Sequence, residues 1–292
     1  MPALPPHLLD RERSELVEQL RSWLTARSEP AYRTHQILEH LFLRGVDDPL
    51  AMANLPVQLR RELGEQLLPP LLRRDQVQVS SDGTRKYRFR LRDGVPIESV
   101  WIPGRGRNTL CVSSQAGCPA ACSFCATGAG GFRRNLSPGE ILSQWLEVAR
   151  DVRLEGQESI TQIVFMGMGE PLYNYKALSR SLRTWTDPEG FSSSPRRITV
   201  STVGITPKIP LLAREFPQVR LAVSLHSARN ETRDRIVPVN RRYPIEVLHE
   251  TLRSLQGQLR RVSLEYVLLA GVNDSASEAK ALARFARDTA GH

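Results

Sequence analysis

Cys118-Pro119-Ala120-Ala121-Cys122-Ser123-Phe124-Cys125 decides how the rest of the chain is read. Its three thiols stand at C-x3-C-x2-C spacing. With Cys111 they are the only cysteines of 292 residues, all within fifteen consecutive positions. Such clustering argues against a distributed disulfide framework and for a metal site. Thiolates are soft ligands suited to iron–sulfur clusters or to zinc. Three of them would leave one iron of a four-iron cluster without a protein ligand. A structural zinc site would want a fourth ligand, which Cys111 or His226 could supply, and plain core cysteines would need no metal.

Around this run the apolar pattern alternates short strands with amphipathic helices. Residues 109–113 read as a strand and 137–152 as a helix. The unit repeats at 161–167 and 175–185, 197–201 and 207–214, 219–226 and 244–257, and 261–269 and 276–290. Five βα units in series predict an α/β core with a parallel sheet, curved or closed into a barrel. The cysteine run follows the first of its strands. In the last helix, Ala279, Leu282, Ala283 and Ala286 form the expected buried stripe.

Upstream the period differs. Leu16, Leu20 and Leu24, then Ile37, Leu38, Leu41 and Phe42, recur at helical spacing, so 1–75 read as a small helical domain. Residues 76–103 read as an antiparallel β-meander, because Asp82-Gly83 and Asp93-Gly94 each separate runs that alternate with period two. Residues 104–292 are then the α/β core. On the middle strand of the meander Tyr87, Phe89 and Leu91 are expected on the core face, with Lys86, Arg88, Arg90 and Arg92 opposite. Four cations on one short face repel one another unless an anion lies nearby, which makes the face a candidate for RNA phosphate. Arg33, His35 and Arg44 are further candidates for RNA contact, or simply parts of a solvated helix face.

Lys and Arg number 40 against 31 Asp and Glu, and the resulting charge of +9 favours an anionic partner, nucleic acid foremost. An Arg-rich composition bias is the plainer account of the same number. The 40% hydrophobic content suffices for a core. No apolar stretch approaches the roughly 20 residues of a membrane span, and the N-terminus lacks a signal peptide's apolar region. The expectation is a soluble cytoplasmic monomer with no membrane partner.

Several runs narrow the reading. Thr109-Leu-Cys111-Val-Ser-Ser-Gln115-Ala-Gly-Cys118, Gly131-Phe-Arg133-Arg-Asn135-Leu and Met166-Gly-Met-Gly-Glu170-Pro171 resemble the radical-SAM enzymes that methylate carbon 2 or carbon 8 of adenine in ribosomal and transfer RNA. Ser201-Thr-Val-Gly204, Ser224-Leu-His226, Val237-Pro-Val-Asn240-Arg-Arg-Tyr243-Pro244 and Gly271-Val-Asn273-Asp274 extend the likeness over about 30–290. The resemblance implies an incomplete parallel (β/α) barrel of the radical-SAM type behind the helical domain and meander. It further implies a [4Fe-4S] cluster on Cys118, Cys122 and Cys125, with S-adenosylmethionine chelating the open iron. Carbon 2 is the expected target in 23S rRNA, tRNA or both, and an electron donor must serve the cluster.

The implied cofactor residues are Gly169, Glu170, Ser201, Ser224, Leu225 and His226. A glycine permits close backbone approach, a carboxylate can accept from the cofactor's amino group, and strand C-terminal ends are where βα-barrel sites lie. Glu98 shares its strand face with Val100 and Ile102, so it is either paired with a nearby arginine or functional; the family's matching glutamate is a proposed proton acceptor. Cys111 matches the family's second catalytic cysteine, which removes a proton and releases the enzyme from a covalent RNA adduct.

One departure stands out. The family's methyl-carrying cysteine follows a further strand that also supplies an asparagine to the cofactor, and neither is in this sequence. The expectation is a core truncated at its C-terminal end that binds the cluster without completing methyl transfer. A cluster-bearing RNA-binding homologue and a different radical-SAM enzyme are the alternatives.

Overall fold

The computed structural model describes residues 7–157 and 159–289. Helices α1 (Arg13–Thr25), α2 (Tyr32–Leu38) and α3 (Val57–Gln66) precede strands β1 (Leu72–Val79), β2 (Arg85–Leu91) and β3 (Pro96–Ile102). Next come β4 (Thr109–Cys111), β5 (Gln115–Gly117), the single turn α4 (Ala126–Ala129) and β6 (Phe132–Asn135). Then follow α5 (Pro138–Leu154), β7 (Gln162–Phe165), α6 (Tyr175–Thr186), β8 (Ile198–Thr202), α7 (Ile209–Glu215) and β9 (Arg220–Ser224). The last elements are α8 (Asn230–Ile236), α9 (Ile245–Ser254), β10 (Val262–Glu265) and α10 (Ala276–Thr289). Two compact units result: one holds the residues up to Leu110 with Leu136–Thr161 and Lys176–Ser194, the other Cys111–Asn135, Gln162–Tyr175 and the residues from Pro195 onward.

In the first unit, helical spacing buries Leu16, Leu20 and Leu24 of α1 and Leu59 and Leu63 of α3. The Asp-Gly pairs make the expected hairpins. Asp82 Oδ1 accepts from the Thr84 amide at 2.9 Å and Asp93 Oδ1 from the Val95 amide at 3.0 Å, while Gly83 and Gly94 take φ of 83° and 82°. β1, β2 and β3 pair antiparallel in order, and Tyr87, Phe89 and Leu91 are buried as expected. Helix α5 starts on a reciprocal cap in which Ser137 Oγ accepts from the Glu140 amide and Glu140 accepts from the Ser137 amide. The buried Ser99 hydroxyl donates to Gln144 of α5 at 2.8 Å, fixing β3 against that helix.

The opposite face of β2 differs from a bare basic ladder. Asp75, at a register shift in β1, accepts from Arg88 Nε at 2.8 Å and pairs with Arg90 Nε at 3.1 Å. Lys86 lies 3.4 Å from Glu98, and Arg92 falls beyond the last residue of β2. The anions that relieve the repulsion are thus partly the protein's own.

In the second unit β7, β8, β9 and β10 lie side by side, all parallel. Ile163 and Phe165 of β7, Ile198 and Val200 of β8, and Leu221 and Val223 of β9 are buried, alternate residues that turn one face of each strand into the core. Two expectations change. β9 ends at Ser224, so Leu225 and His226 belong to the loop after it. The buried face of α10 is Glu278, Ala281, Phe285 and Thr289, not the alanine-rich stripe. The cause is Glu278, whose buried carboxylate accepts from Ser227 Oγ at 2.7 Å and Thr232 Oγ1 at 2.6 Å and turns the helix toward them.

Candidate functional site

The cysteine run occupies the connection between β5 and β6, which pair antiparallel. That connection is tightly folded. Gly117 takes φ 79°, and a Cβ there would lie 1.9 Å from the Gly131 carbonyl oxygen, to which the Cys118 amide donates at 3.1 Å. The Cys125 amide donates to the Cys122 carbonyl at 3.1 Å, and a Cβ on Gly128 would press on the Cys122 backbone at 3.2 Å. The Ser123 amide donates to Ile236 of α8 at 3.0 Å.

Cys118, Cys122 and Cys125 are near enough to act on one another electrostatically. Burial first, then the neighbouring thiols and the Glu170 carboxylate, push Cys118 up to about 11 and Cys122 to about 12. Thiolates in such surroundings need a cation close by. Among the described residues no group of three or more His, Cys, Asp or Glu side chains is already gathered around one point. Three thiols on one stiff loop are a donor set that suits an iron–sulfur cluster. Cys111 ends β4 and is buried, which pushes its thiol up to about 11; its sulfur accepts from the Met166 amide and feels the charge of Glu265.

The remaining residues collect at the C-terminal ends of the parallel strands. Gly169 follows β7 with φ 105°, and a Cβ there would lie 2.6 Å from Gln115 Cβ and 2.8 Å from Ser114 Oγ, so only glycine fits. Glu170 is fully buried. Its carboxylate accepts from the Val203 amide at 2.7 Å and the Leu172 amide at 2.9 Å, and its own amide donates to Gln115 Oε1 at 2.8 Å. Burial outweighs these bonds and raises it to about 7. Each oxygen keeps lone pairs for a further donor. Ser201 is the last residue but one of β8 and Ser224 ends β9, and both hydroxyls donate to Glu265 at the end of β10.

Leu225 is buried, and His226 takes φ 56°. The His226 Nδ1 accepts from the Val267 amide at 3.1 Å, which places the ring proton on Nε2, and its ring stands edge-on to Phe124 with centroids 4.7 Å apart. Burial, then the charge of Arg233, lowers it to about 4, so it is neutral near pH 7. The Asn273 amide fixes this turn by donating to the His226 carbonyl at 2.7 Å and the Val267 carbonyl at 2.8 Å.

Ten of the eleven candidate residues therefore belong to the second unit. Glu98 belongs to the first, where it lies opposite Arg88 on β2 and beside Lys86. Sequence reasoning did not single out Gln115, Glu265 or Arg233. Gln115 and Asn273 lay inside matched runs, a usable signal; Glu265 and Arg233 carried none, since a charged residue in a short strand or a polar helix looks solvent-facing.

Residues 112–285 match the model described as "Radical SAM superfamily", which fixes the class: this is a radical-SAM protein, a class whose members use a [4Fe-4S] cluster and S-adenosylmethionine. Residues 8–68 match the "Ribosomal RNA large subunit methyltransferase N-terminal domain". The dual-specificity RNA methyltransferase RlmN of Geobacter sulfurreducens is 44% identical over 274 residues, covering 93% of this chain and 74% of that protein. The probable RlmN of Moorella thermoacetica is 46% identical over 290 residues, 96% of this chain and 79% of the relative. The crystal structure of a radical SAM methyltransferase from Sphaerobacter thermophilus superposes with a TM-score of 0.91 at 44% identity, over 98% of this chain and 83% of that one. The chain belongs to the RlmN family of radical-SAM RNA methyltransferases. Its fold is accordingly the α/β radical-SAM fold with an N-terminal helical region and a β-meander. Among the described residues no helix is long and apolar enough to cross a membrane.

Proposed function

We propose that this chain acts on carbon 2 of adenine in 23S rRNA and in tRNA. The observation that carries the reading is the polar set Glu170, Ser201, Ser224 and His226, at and just beyond the strand C-terminal ends, in the same unit as the three-thiol loop. The dual specificity in the relatives' name supports both RNA substrates. Cys118, Cys122 and Cys125 would hold the [4Fe-4S] cluster. When bound, the cluster supplies the electron that cleaves the sulfonium bond of S-adenosylmethionine.

The chain's own residues then have distinct tasks. Glu170 takes the cofactor's ammonium on lone pairs left by its two backbone donors. Ser201, Ser224 and the Leu225–His226 turn hold the nucleoside part, with neutral His226 offering Nε2–H as a donor. Burial keeps the Cys111 thiol up at about 11, so its thiolate, when formed, is strongly basic; we assign that thiolate the removal of a proton, which it takes onto sulfur, and release of the RNA adduct. Glu98 accepts a proton, with Lys86 beside it.

RNA phosphate contact falls to the first unit through the residues matching the methyltransferase N-terminal domain and the basic face of β2. Arg33 and Arg44 there are paired with Glu29 at 3.4 Å and Glu39 at 2.5 Å, which leaves them a secondary role. An electron donor completes the partners.

The test is anaerobic incubation of residues 1–292 with reductant, S-adenosylmethionine and RNA, read by mass spectrometry. 5′-Deoxyadenosine is expected, lost in Cys122→Ala, and any methyl group found on adenosine should sit on carbon 2. Intact S-adenosylmethionine, cleavage that survives in Cys122→Ala, or a methyl group on carbon 8 would contradict the assignment.

A further inference from the structure

Arg233, on α8, is completely buried, yet its guanidinium meets only neutral oxygens. Nε donates to the Leu225 carbonyl at 3.0 Å, Nη2 to the Val203 carbonyl at 2.6 Å and more weakly to the Ser224 carbonyl at 3.5 Å, and Nη1 to Asn240 Oδ1 at 2.8 Å. The adjacent carboxylate, Asp234, accepts from the Asn240 amide at 2.6 Å and reaches the guanidinium only through its charge, with no hydrogen bond to it among the described residues. A buried cation without a hydrogen-bonded counter-charge is costly, so a further negative charge close by would stabilise it.

Two observations indicate what that is. Helix α8 holds the cysteine loop directly, through the 3.0 Å bond from the Ser123 amide to the Ile236 carbonyl, one residue after Cys122. The Cys122 thiol and the Arg233 guanidinium are also near enough for each to feel the other's charge.

We infer that Arg233 is the built-in counter-charge of the cluster on Cys118, Cys122 and Cys125, raising its reduction potential and favouring its assembly; the inference rests on the cluster reading above. A cluster gains negative charge on reduction, so a fixed cation nearby stabilises the reduced state. The same guanidinium grips the Val203 peptide, whose amide bonds Glu170, so it is a positioning residue for the cofactor pocket too.

The experiment is an EPR-monitored redox titration of reconstituted residues 1–292, with iron content, for the wild type, Arg233→Gln, Arg233→Lys and Asn240→Asp. Arg233→Gln should shift the midpoint to more negative potential and load less iron at limiting iron. Arg233→Lys keeps the charge without the fork and should stay near the wild-type potential. Asn240→Asp keeps the guanidinium but sets a carboxylate on Nη1, and should shift the potential in the same direction as Arg233→Gln. A wild-type potential in Arg233→Gln, or equal shifts in the Gln and Lys variants, would overturn the counter-charge role. Should Arg233→Gln not fold, an unchanged potential in Asn240→Asp overturns it alone. A wild-type chain that takes up no iron would defeat the cluster reading itself.

Discussion

The hydroxyls of Ser201 and Ser224, at the C-terminal ends of neighbouring parallel strands, meet 3.2 Å apart, and both donate to Glu265 Oε2, at 2.8 and 3.0 Å. One carboxylate thus directs both hydroxyl hydrogens away and leaves the serine lone pairs to accept from a donor such as a ribose hydroxyl. Glu265→Ala removes that orientation. Since a hydrogen bond to a charged group contributes about 1.5–3 kcal/mol, S-adenosylmethionine should bind roughly ten- to a hundredfold more weakly by titration calorimetry. Wild-type affinity would mean that Glu265 only ties strand ends together.

Glu170 gives a pH dependence with a definite sign. Burial lifts its folded-state value from 4.5 to about 7, so the folded protein holds a proton there that the unfolded chain releases. Its cost to stability is absent below about pH 4.5, grows as pH rises, and is complete above about 7. Cofactor binding runs the other way, because only the ionised carboxylate pairs with an ammonium. Affinity should therefore rise between about pH 6 and 8 in the wild type and lie flat and lower in Glu170→Gln. A flat wild-type profile would remove Glu170 from the ammonium site.

Gly117→Ala places a methyl against the Gly131 carbonyl and forces a left-handed residue, a combination expected to cost about 3 kcal/mol or more. Thermal melting should show a lower midpoint, and iron loading should fall because the strand pair carrying the cysteine loop no longer closes. A chain that loads iron normally would show that the loop folds independently of that pair.

The basic face of β2 is read through Asp75. Asp75→Asn releases Arg88 and Arg90 together, so if the face meets RNA phosphate the logarithmic salt slope of RNA binding should steepen by roughly one. Replacing Arg88 and Arg90 by Gln should flatten it by roughly one to two. Unchanged slopes in both variants would leave the face merely solvated.

What could be read from the sequence was what short-range chemistry sets. The two Asp-Gly turns and the βα alternation depend on residues a few positions apart and are found close to where expected, although β9 and β10 end at Ser224 and Glu265, earlier than 226 and 269. The misses are tertiary. Helix α8 turns in only Thr232, Arg233 and Ile236, so it has no apolar stripe to announce it. The three- and four-residue strands β5 and β6 are too short to show a period. The helix α10 face is set by the partners of Glu278 on other elements, and Arg88 and Arg90 are neutralised by Asp75 across a strand pair. Glu265 acquires meaning only once β8, β9 and β10 lie side by side.

The most direct test of the account is the EPR spectrum of the reduced, anaerobically reconstituted protein with and without S-adenosylmethionine. The account predicts about four irons per chain, a reduced-cluster signal that changes when the cofactor is added, retention of that signal in Cys111→Ala and its loss in Cys122→Ala. Stoichiometric zinc in place of iron, or a cluster signal indifferent to S-adenosylmethionine, would contradict it.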